Sequence, residues 1–273
     1  MMMKTNFIKH LLPFLLIAAL FFVQCKQDKT KSVRQGKTEQ AQQPKTTGNL
    51  QGEDVVKKAR KPRTTTTLEH LVRPANIDNA PSLILLHGYR SNEESFFQIA
   101  KSIPENYTVI SVRAPKKKGP KAYAWYDLDW ANNKAYETVE FEYARQTIVD
   151  FIEFASNKYG LNKSQVHLCG FSQGAILSYA VGLTRPDLVR GIAPLSGRIV
   201  KETKANMVDG HKLKSLKVFV AHGDKDQVIS VEESRTAVPF LKELGVNTTY
   251  VEEPNLGHSS NQNILTKLIE WLQ

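Results

Sequence analysis

From about Thr64 to the C-terminus, apolar residues fall into short continuous runs separated by stretches with helical spacing. The runs are Leu83–Leu86, Tyr107–Val112, Val166–Cys169, Gly191–Leu195, Val218–Ala221 and Thr248–Val251. A strand covered on both faces is apolar throughout, so each run predicts a buried strand. Thr66–Val72 alternates instead, and predicts an early antiparallel strand. From about Tyr136 to Tyr159, Phe141, Ala144, Ile148, Phe151, Ala155 and Tyr159 recur every three or four residues, which predicts an amphipathic helix stopped by Gly160. Alternating strands and helices with right-handed crossovers predict an α/β fold, with a mostly parallel central sheet and helices on both faces. In such sheets the chemistry sits beyond the carboxyl ends of the strands.

The first residues follow a different pattern. Lys4 and Lys9 precede an apolar run from Leu11 to Val23 that stops at Cys25. Spanning a bilayer takes about 20 apolar residues, so this run is too short. A basic start, a short apolar stretch and a break describe an export signal over residues 1–24. A buried core helix is the alternative, disfavoured by the polar basic tract that follows directly. Cys25 stands where a bacterial lipoprotein carries its acylated cysteine, although Gln24 replaces the usual small residue before it. Acylation there would anchor the protein to the bacterial cell envelope through several acyl chains. Ordinary cleavage would give a soluble periplasmic or secreted protein instead.

Charge separates the tail from the rest. Cys25 to Arg63 holds eleven Lys and Arg against four Asp and Glu, most of the +10 formal charge of the 273-residue chain. The tract is rich in Gln, Lys and Thr and nearly free of large apolar residues, so residues 25–63 are expected to form a disordered linker ahead of a catalytic domain at 64–273. No aromatic residues interleave with its lysines, which argues against nucleic-acid binding. Of the two cysteines, acylation of Cys25 would leave Cys169 alone, without a disulfide partner, and its place in an apolar run marks it as a small buried core residue.

The run ending at Cys169 leads into Gly170-Phe171-Ser172-Gln173-Gly174-Ala175 and then a helical stretch. This is a G-x-S-x-G nucleophile elbow in its required strand–turn–helix setting. The turn is sharp, and side chains at Gly170 and Gly174 would collide there. A serine hydroxyl is a weak nucleophile without a base. Folds with this elbow carry the acid and then the histidine downstream. His258, in Leu256-Gly257-His258-Ser259, follows the candidate acids. The acid loop, His222-Gly223-Asp224-Lys225-Asp226-Gln227-Val228, offers two aspartates. The H-G-x-x-D spacing and the apolar residues that follow favour Asp226, leaving Asp224 to shape the turn through its own backbone hydrogen bonds. The strand Leu83–Leu86 ends in His87-Gly88-Tyr89, so the backbone N–H groups of Tyr89 and Gln173 are the expected oxyanion donors. His87 either orients this loop or is structural.

Four blocks in order resemble the phospholipase/carboxylesterase branch of the α/β-hydrolases, which includes acyl-protein thioesterases. They are Leu86-His87-Gly88-Tyr89, Trp125-Tyr126-Asp127, Gly170 to Ala175 and His222 to Asp226, with His258 completing them. The resemblance covers about Leu83 to Gln273. It implies a single-domain serine carboxylesterase with no metal and no organic cofactor, often with a small hydrophobic acyl site. Tyr89 departs from the family's smaller aliphatic residue, and Lys116-Lys117-Lys118-Gly119-Pro120-Lys121 is unusually basic. Those lysines either draw in anionic substrates or form a solvated loop. Trp125, Tyr126 and Trp130, after the second core strand, either wall the acyl pocket or pack a long loop onto the domain. The expected substrate is a small-molecule, lipid or polysaccharide acyl ester. An exported acetyl or feruloyl esterase of polysaccharides, or a lysophospholipase or thioesterase, is the alternative. A binding module that has kept the fold is a further class, set aside because such modules usually lose a triad member and all three are present here.

The anchor is directly testable. Cys25→Ala is expected to move the full-length protein from the membrane to the soluble fraction on cell fractionation, and unchanged membrane retention would rule out attachment at this site.

Overall fold

The structure is a computed structural model that describes residues 68–128 and 136–273. The expected export segment, the basic tract with Cys25, the first residues of the alternating strand and Trp130 lie outside the described residues. Among the described residues no helix is long and apolar enough to cross a membrane.

Each run becomes a strand, although the last, at the sheet edge, is half-buried and not covered on both faces. They are β2 (Ser82–Leu86), β3 (Thr108–Val112), β6 (Val166–Phe171), β7 (Gly191–Leu195), β8 (Lys217–Gly223) and β9 (Asn247–Glu253). The alternating segment supplies β1 (His70–Arg73). One seven-stranded sheet results, in the order β1-β3-β2-β6-β7-β8-β9. Only β1 is antiparallel, paired to β3 on the sheet edge; the other pairs are parallel.

Successive residues of each strand feed opposite layers. Ile84, Leu86, Ile110, Leu168, Val218 and Val220 join a core with Phe141, Ile148, Leu177 and Leu241. Those partners come from α2 (Thr138–Lys158), α3 (Gln173–Thr184) and α5 (Glu232–Glu243). Leu83, Leu85, Val109, Cys169 and Phe219 join the opposite layer with Phe96, Ile264 and Leu268. These belong to α1 (Glu93–Phe97) and α6 (Gln262–Leu272). The sheet therefore has helices on both faces, and the helix expected from Tyr136 to Tyr159 is α2. A short helix, α4 (Lys201–Asn206), follows β7. Cys169 is buried and free.

One element was not anticipated. The lysine-rich stretch expected as a loop forms a small hairpin, β4 (Lys116–Gly119) with β5 (Ala122–Ala124).

The chain runs from β2 outward to β3, then crosses back to β6 beside β2 and continues the other way. The direction of winding reverses between β2 and β6, the place where sheets of this kind hold their sites, beyond the carboxyl ends of the strands. The His87 and Ser172 loops leave the sheet at this point.

Two buried histidines make the fold sensitive to acid. Burial drives the imidazoles of His87 and His167 down to about 4 from the ordinary 6.5. The unfolded chain takes up these two protons near pH 6.5, but the folded protein only near pH 4. Their contribution to stability is therefore full above about pH 6.5 and declines as the pH falls toward 4. The urea midpoint is expected to be lower at about pH 5 than at about pH 7.5, and equal midpoints would show that the two rings are not held neutral.

Candidate active site

Ser172 sits between the last residue of β6 and the first of α3, with φ of 53° and ψ of −113°. Non-glycine residues rarely adopt such a backbone, which costs on the order of 1–3 kcal/mol and persists where the surroundings over-determine it. Here they do. A Cβ on Gly174 would lie 2.1 Å from the Leu86 carbonyl oxygen, and one on Gly170 would lie 2.2 Å from the Gly174 carbonyl oxygen. The Ser172 N–H donates to the Leu195 carbonyl at 2.9 Å, tying the turn to β7.

The structure brings the three expected side chains together. Ser172 Oγ and His258 Nε2 are 2.8 Å apart, and His258 Nδ1 is 2.7 Å from Asp226 Oδ2. His258 stands in the turn between β9 and α6, with the Phe171 ring 5.0 Å from its own. The acid and histidine loops are fastened together, the Lys225 N–H donating to the Leu256 carbonyl and the Asp224 N–H to that of Glu253. Asp226 has no exposed side-chain surface, whereas His258 keeps 18% of its own.

Asp226 Oδ1 accepts the N–H groups of Val228 at 2.8 Å and Ile229 at 3.0 Å. Oδ2 accepts His258 and also faces His222 Nε2 at 3.2 Å. Burial alone would raise this carboxyl, but the hydrogen bonds from His222, His258 and the Ile229 backbone outweigh it and hold the group well below the usual carboxylate range. Asp224 behaves otherwise than expected. Its Oδ1 has no hydrogen-bond partner among the described residues, and its Oδ2 lies 3.8 Å from Lys225 Nζ. The carboxylate that shapes this turn is that of Asp226, since only its Oδ1 lies within reach of the two N–H groups that follow.

The loop after β2 is held on several sides. A Cβ on Gly88 would be 3.4 Å from Ser172 Cβ, so this loop runs directly beside the elbow. His87 Nδ1 donates to the Gly88 carbonyl at 2.8 Å, and Nε2 accepts the Ala114 N–H at 3.0 Å. The buried neutral ring thus joins the ends of β2 and β3, which places His87 as an orienting residue. The Ser91 N–H donates to the Gly88 carbonyl, and the Tyr123 N–H of β5 to the Ser91 carbonyl. Asn92 Nδ2 donates to the Lys121 carbonyl at 2.7 Å. The unexpected hairpin is therefore bonded to the loop that carries Tyr89.

Trp125 and Tyr126 are each 1% exposed. Both rings pack into the core layer that contains Phe141 and Tyr179, so they offer no open surface. Their main chains grip the elbow instead. Gln173 Oε1 accepts the Trp125 N–H and Gln173 Nε2 donates to the Tyr126 carbonyl, both at 2.9 Å. Trp125 Nε1 donates to the His87 carbonyl at 2.9 Å. The side-chain clamp of Gln173, beyond the backbone N–H expected of it, joins positions about fifty residues apart, and no local spacing signals it.

The lysines of the hairpin are largely neutralised. Lys116 pairs with Asp127 at 2.9 Å and Glu140 at 2.6 Å, Lys118 with Asp127, and Lys121 with Glu94 at 3.0 Å. Among the described residues, no group of three His, Cys, Asp or Glu side chains is arranged to hold a metal ion.

Comparison with known proteins fits this architecture. Residues 69–273 match the pattern of the phospholipase/carboxylesterase family. The chain is 33% identical over 114 residues to a probable carboxylesterase of Arabidopsis thaliana (SOBER1-like), covering 42% of this chain and 44% of that protein. It is 39% identical over 108 residues to acyl-protein thioesterase 1 of Mycosarcoma maydis, covering 38% and 45%. These matches span about half the length of the two curated relatives. Among solved structures, the esterase PE8 superposes with a TM-score of 0.67 at 27% identity, over 76% of this chain and 98% of that one. With the family pattern running through every strand of the sheet and the whole site, the chain belongs to the phospholipase/carboxylesterase family.

Proposed function

We propose that the protein is a serine carboxylesterase that hydrolyses acyl esters through Ser172, His258 and Asp226. The observation that carries this reading is the unbroken hydrogen-bond chain from Ser172 Oγ through His258 to Asp226 Oδ2. Ser172 Oγ attacks the ester carbonyl carbon while His258 Nε2 takes the hydroxyl proton. The carbonyl oxygen becomes an oxyanion facing the N–H groups of Gln173, at the start of α3, and of Tyr89, on the loop beside it. N–H groups in the first turn of a helix have no partner within it and stabilise developing negative charge. His258 returns the proton to the leaving alcohol, giving an acyl-Ser172 ester. Water, deprotonated by His258, attacks that ester and releases the carboxylic acid with Ser172 restored. Asp226 stays ionised throughout, holding the Nδ1–H tautomer and offsetting the imidazolium charge.

Relatives named as carboxylesterases and as acyl-protein thioesterase support ester and thioester substrates alike, since loss of the alcohol or the thiol leaves the same acyl-Ser172 ester. The export signal and the anchor at Cys25 remain part of the proposal and favour substrates outside the cytoplasm, including acylated polysaccharides and lipids.

The experiment is kcat/KM for nitrophenyl esters of increasing acyl length, alongside a matched thioester, on the wild type and three variants. Ser172→Ala is expected to lower kcat by roughly a thousandfold or more while leaving the fold intact. Asp226→Asn is expected to be crippled and Asp224→Asn mild. A fully active Ser172→Ala, or the reverse order of the two aspartates, would sink the assignment. A second expectation concerns the oxyanion loop. Trp125→Phe removes the donor to the His87 carbonyl together with part of a buried ring, and is expected to lower kcat about tenfold with little change in KM, less than the hundred- to thousandfold cost of losing an oxyanion donor outright. An unchanged kcat would show that this bond does not position the loop.

A further inference from the structure

Behind the acid of the proposed triad lies a histidine for which the reaction above has no use. His222, near the end of β8, has no exposed side-chain surface. Its Nε2 is 2.9 Å from the Ile229 carbonyl oxygen and 3.2 Å from Asp226 Oδ2, the same oxygen that accepts His258 Nδ1 at 2.7 Å. Its Nδ1 is 2.6 Å from Ser234 Oγ on α5. A ring nitrogen that faces a carbonyl and a carboxylate meets only acceptors, so Nε2 carries a proton. In the neutral ring Nδ1 is then an acceptor, and the Ser234 hydroxyl donates to it.

We propose that His222 is a positioning residue for the reaction: it holds Asp226 Oδ2 beneath His258, and Ser234 fixes the tautomer that lets it do so. This rests on the triad reading. The array becomes Ser234, His222, Asp226, His258 and Ser172 in sequence, each within hydrogen-bond distance of the next. Its value lies in what carries each donor. Val228, Ile229 and His258 are on loops, whereas His222 belongs to β8, inside the sheet. Through His222 the acid is fixed to the same rigid frame that carries the elbow. The second donor also draws on the carboxylate charge. Glu252, on the neighbouring β9, is a further acidic group, and it is paired with Arg235 of α5. Without His222, Asp226 would face His258 with a less shared charge and would stabilise its imidazolium more, so the acid limb of kcat/KM would move to higher pH. A residue that only filled space would leave that limb in place.

The test uses the full chain with nitrophenyl acetate. His222→Phe keeps a ring and removes both nitrogens. It is expected to lower kcat about tenfold or more with little change in KM, a fraction of the roughly ten-thousandfold loss that follows when an acid no longer fixes its histidine. The acid limb is expected to shift upward. His222→Gln, whose amide N–H reaches toward the same oxygen, is expected to recover most of the loss. In an Asp226→Asn background His222→Phe is expected to cost nothing further, because it acts through that carboxylate. Wild-type kcat and an unmoved acid limb in His222→Phe, or an undiminished loss in the Asp226→Asn background, would overturn the proposal. Should His222→Phe fail to fold, Ser234→Ala removes a single hydroxyl and is expected to move kcat and the limb in the same directions by less; no movement overturns the proposal as well. A fully active Asp226→Asn would instead bring down the triad reading itself, so the two failures are distinguishable.

Discussion

Backbone meets backbone at the elbow with no side chain between. The main chain at Gly174 lies so near the end of β2 that a methyl group there would collide with the carbonyl oxygens of Leu86 and His87. This contact sets the distance between the turn that carries Ser172 and the loop that carries Tyr89. The positive φ of Ser172 is the strained part of the arrangement. It is maintained because β6 and α3 are almost wholly buried on either side and cannot relax without opening the core. Rigid packing thus supplies the precision, and the strained residue is the one whose hydroxyl meets His258 Nε2.

Around that contact, buried polar groups act as ties. His87 and Gln173 are nearly inaccessible to solvent, and the amide of Gln173 and both nitrogens of His87 are bonded to main-chain atoms. A neutral imidazole and a carboxamide meet a loop's carbonyl and N–H groups without placing a charge in the core, which would be far more costly to bury. The ion pairs lie farther out, on the hairpin, where lysines are matched by Asp127, Glu140 and Glu94. Exposed pairs of this kind contribute about 0–1 kcal/mol each. Their consequence here is to reduce the positive field beside the site, which removes the main physical reason to expect anionic substrates.

Much of this was legible in the chain. Strands covered on both faces are mostly apolar, so β2, β3, β6, β7 and β8 announce themselves as largely apolar runs despite the buried Ser82, Ser111, His167 and His222. The elbow is legible because steric exclusion dictates both glycines. Asp226 is separable from Asp224 by the H-G-x-x-D spacing and the apolar residues after it, although the turn-shaping bonds expected of Asp224 are made by Asp226. Other features escape such reasoning. Lys116–Gly119 has the composition of a solvated loop, and its pairing with Ala122–Ala124 is favoured by carboxylates that are distant in sequence. The direction of the Trp125 and Tyr126 rings is equally invisible, because a loop has no periodicity that marks an inward face. Both rings point into the core, and the elbow is gripped by the backbone beside them.

The acid illustrates how one carboxylate serves fold and chemistry together. Its two oxygens are divided between tasks: Oδ1 is committed to the backbone of its own turn, and Oδ2 to imidazole nitrogens. A carboxylate bonded on one oxygen alone could rotate, and the angle it offered His258 would vary. Bonded on both, it has a single orientation, and the hydrogen bonds from His222, His258 and Ile229 keep it ionised although burial opposes that state. An ionised, oriented acid is what a histidine needs if it is to accept a proton from a serine and hold it while charge develops across the site. Asp224, two residues earlier, has neither the acceptor geometry nor the donors. The choice between the two is therefore made by the turn itself, before any substrate is considered.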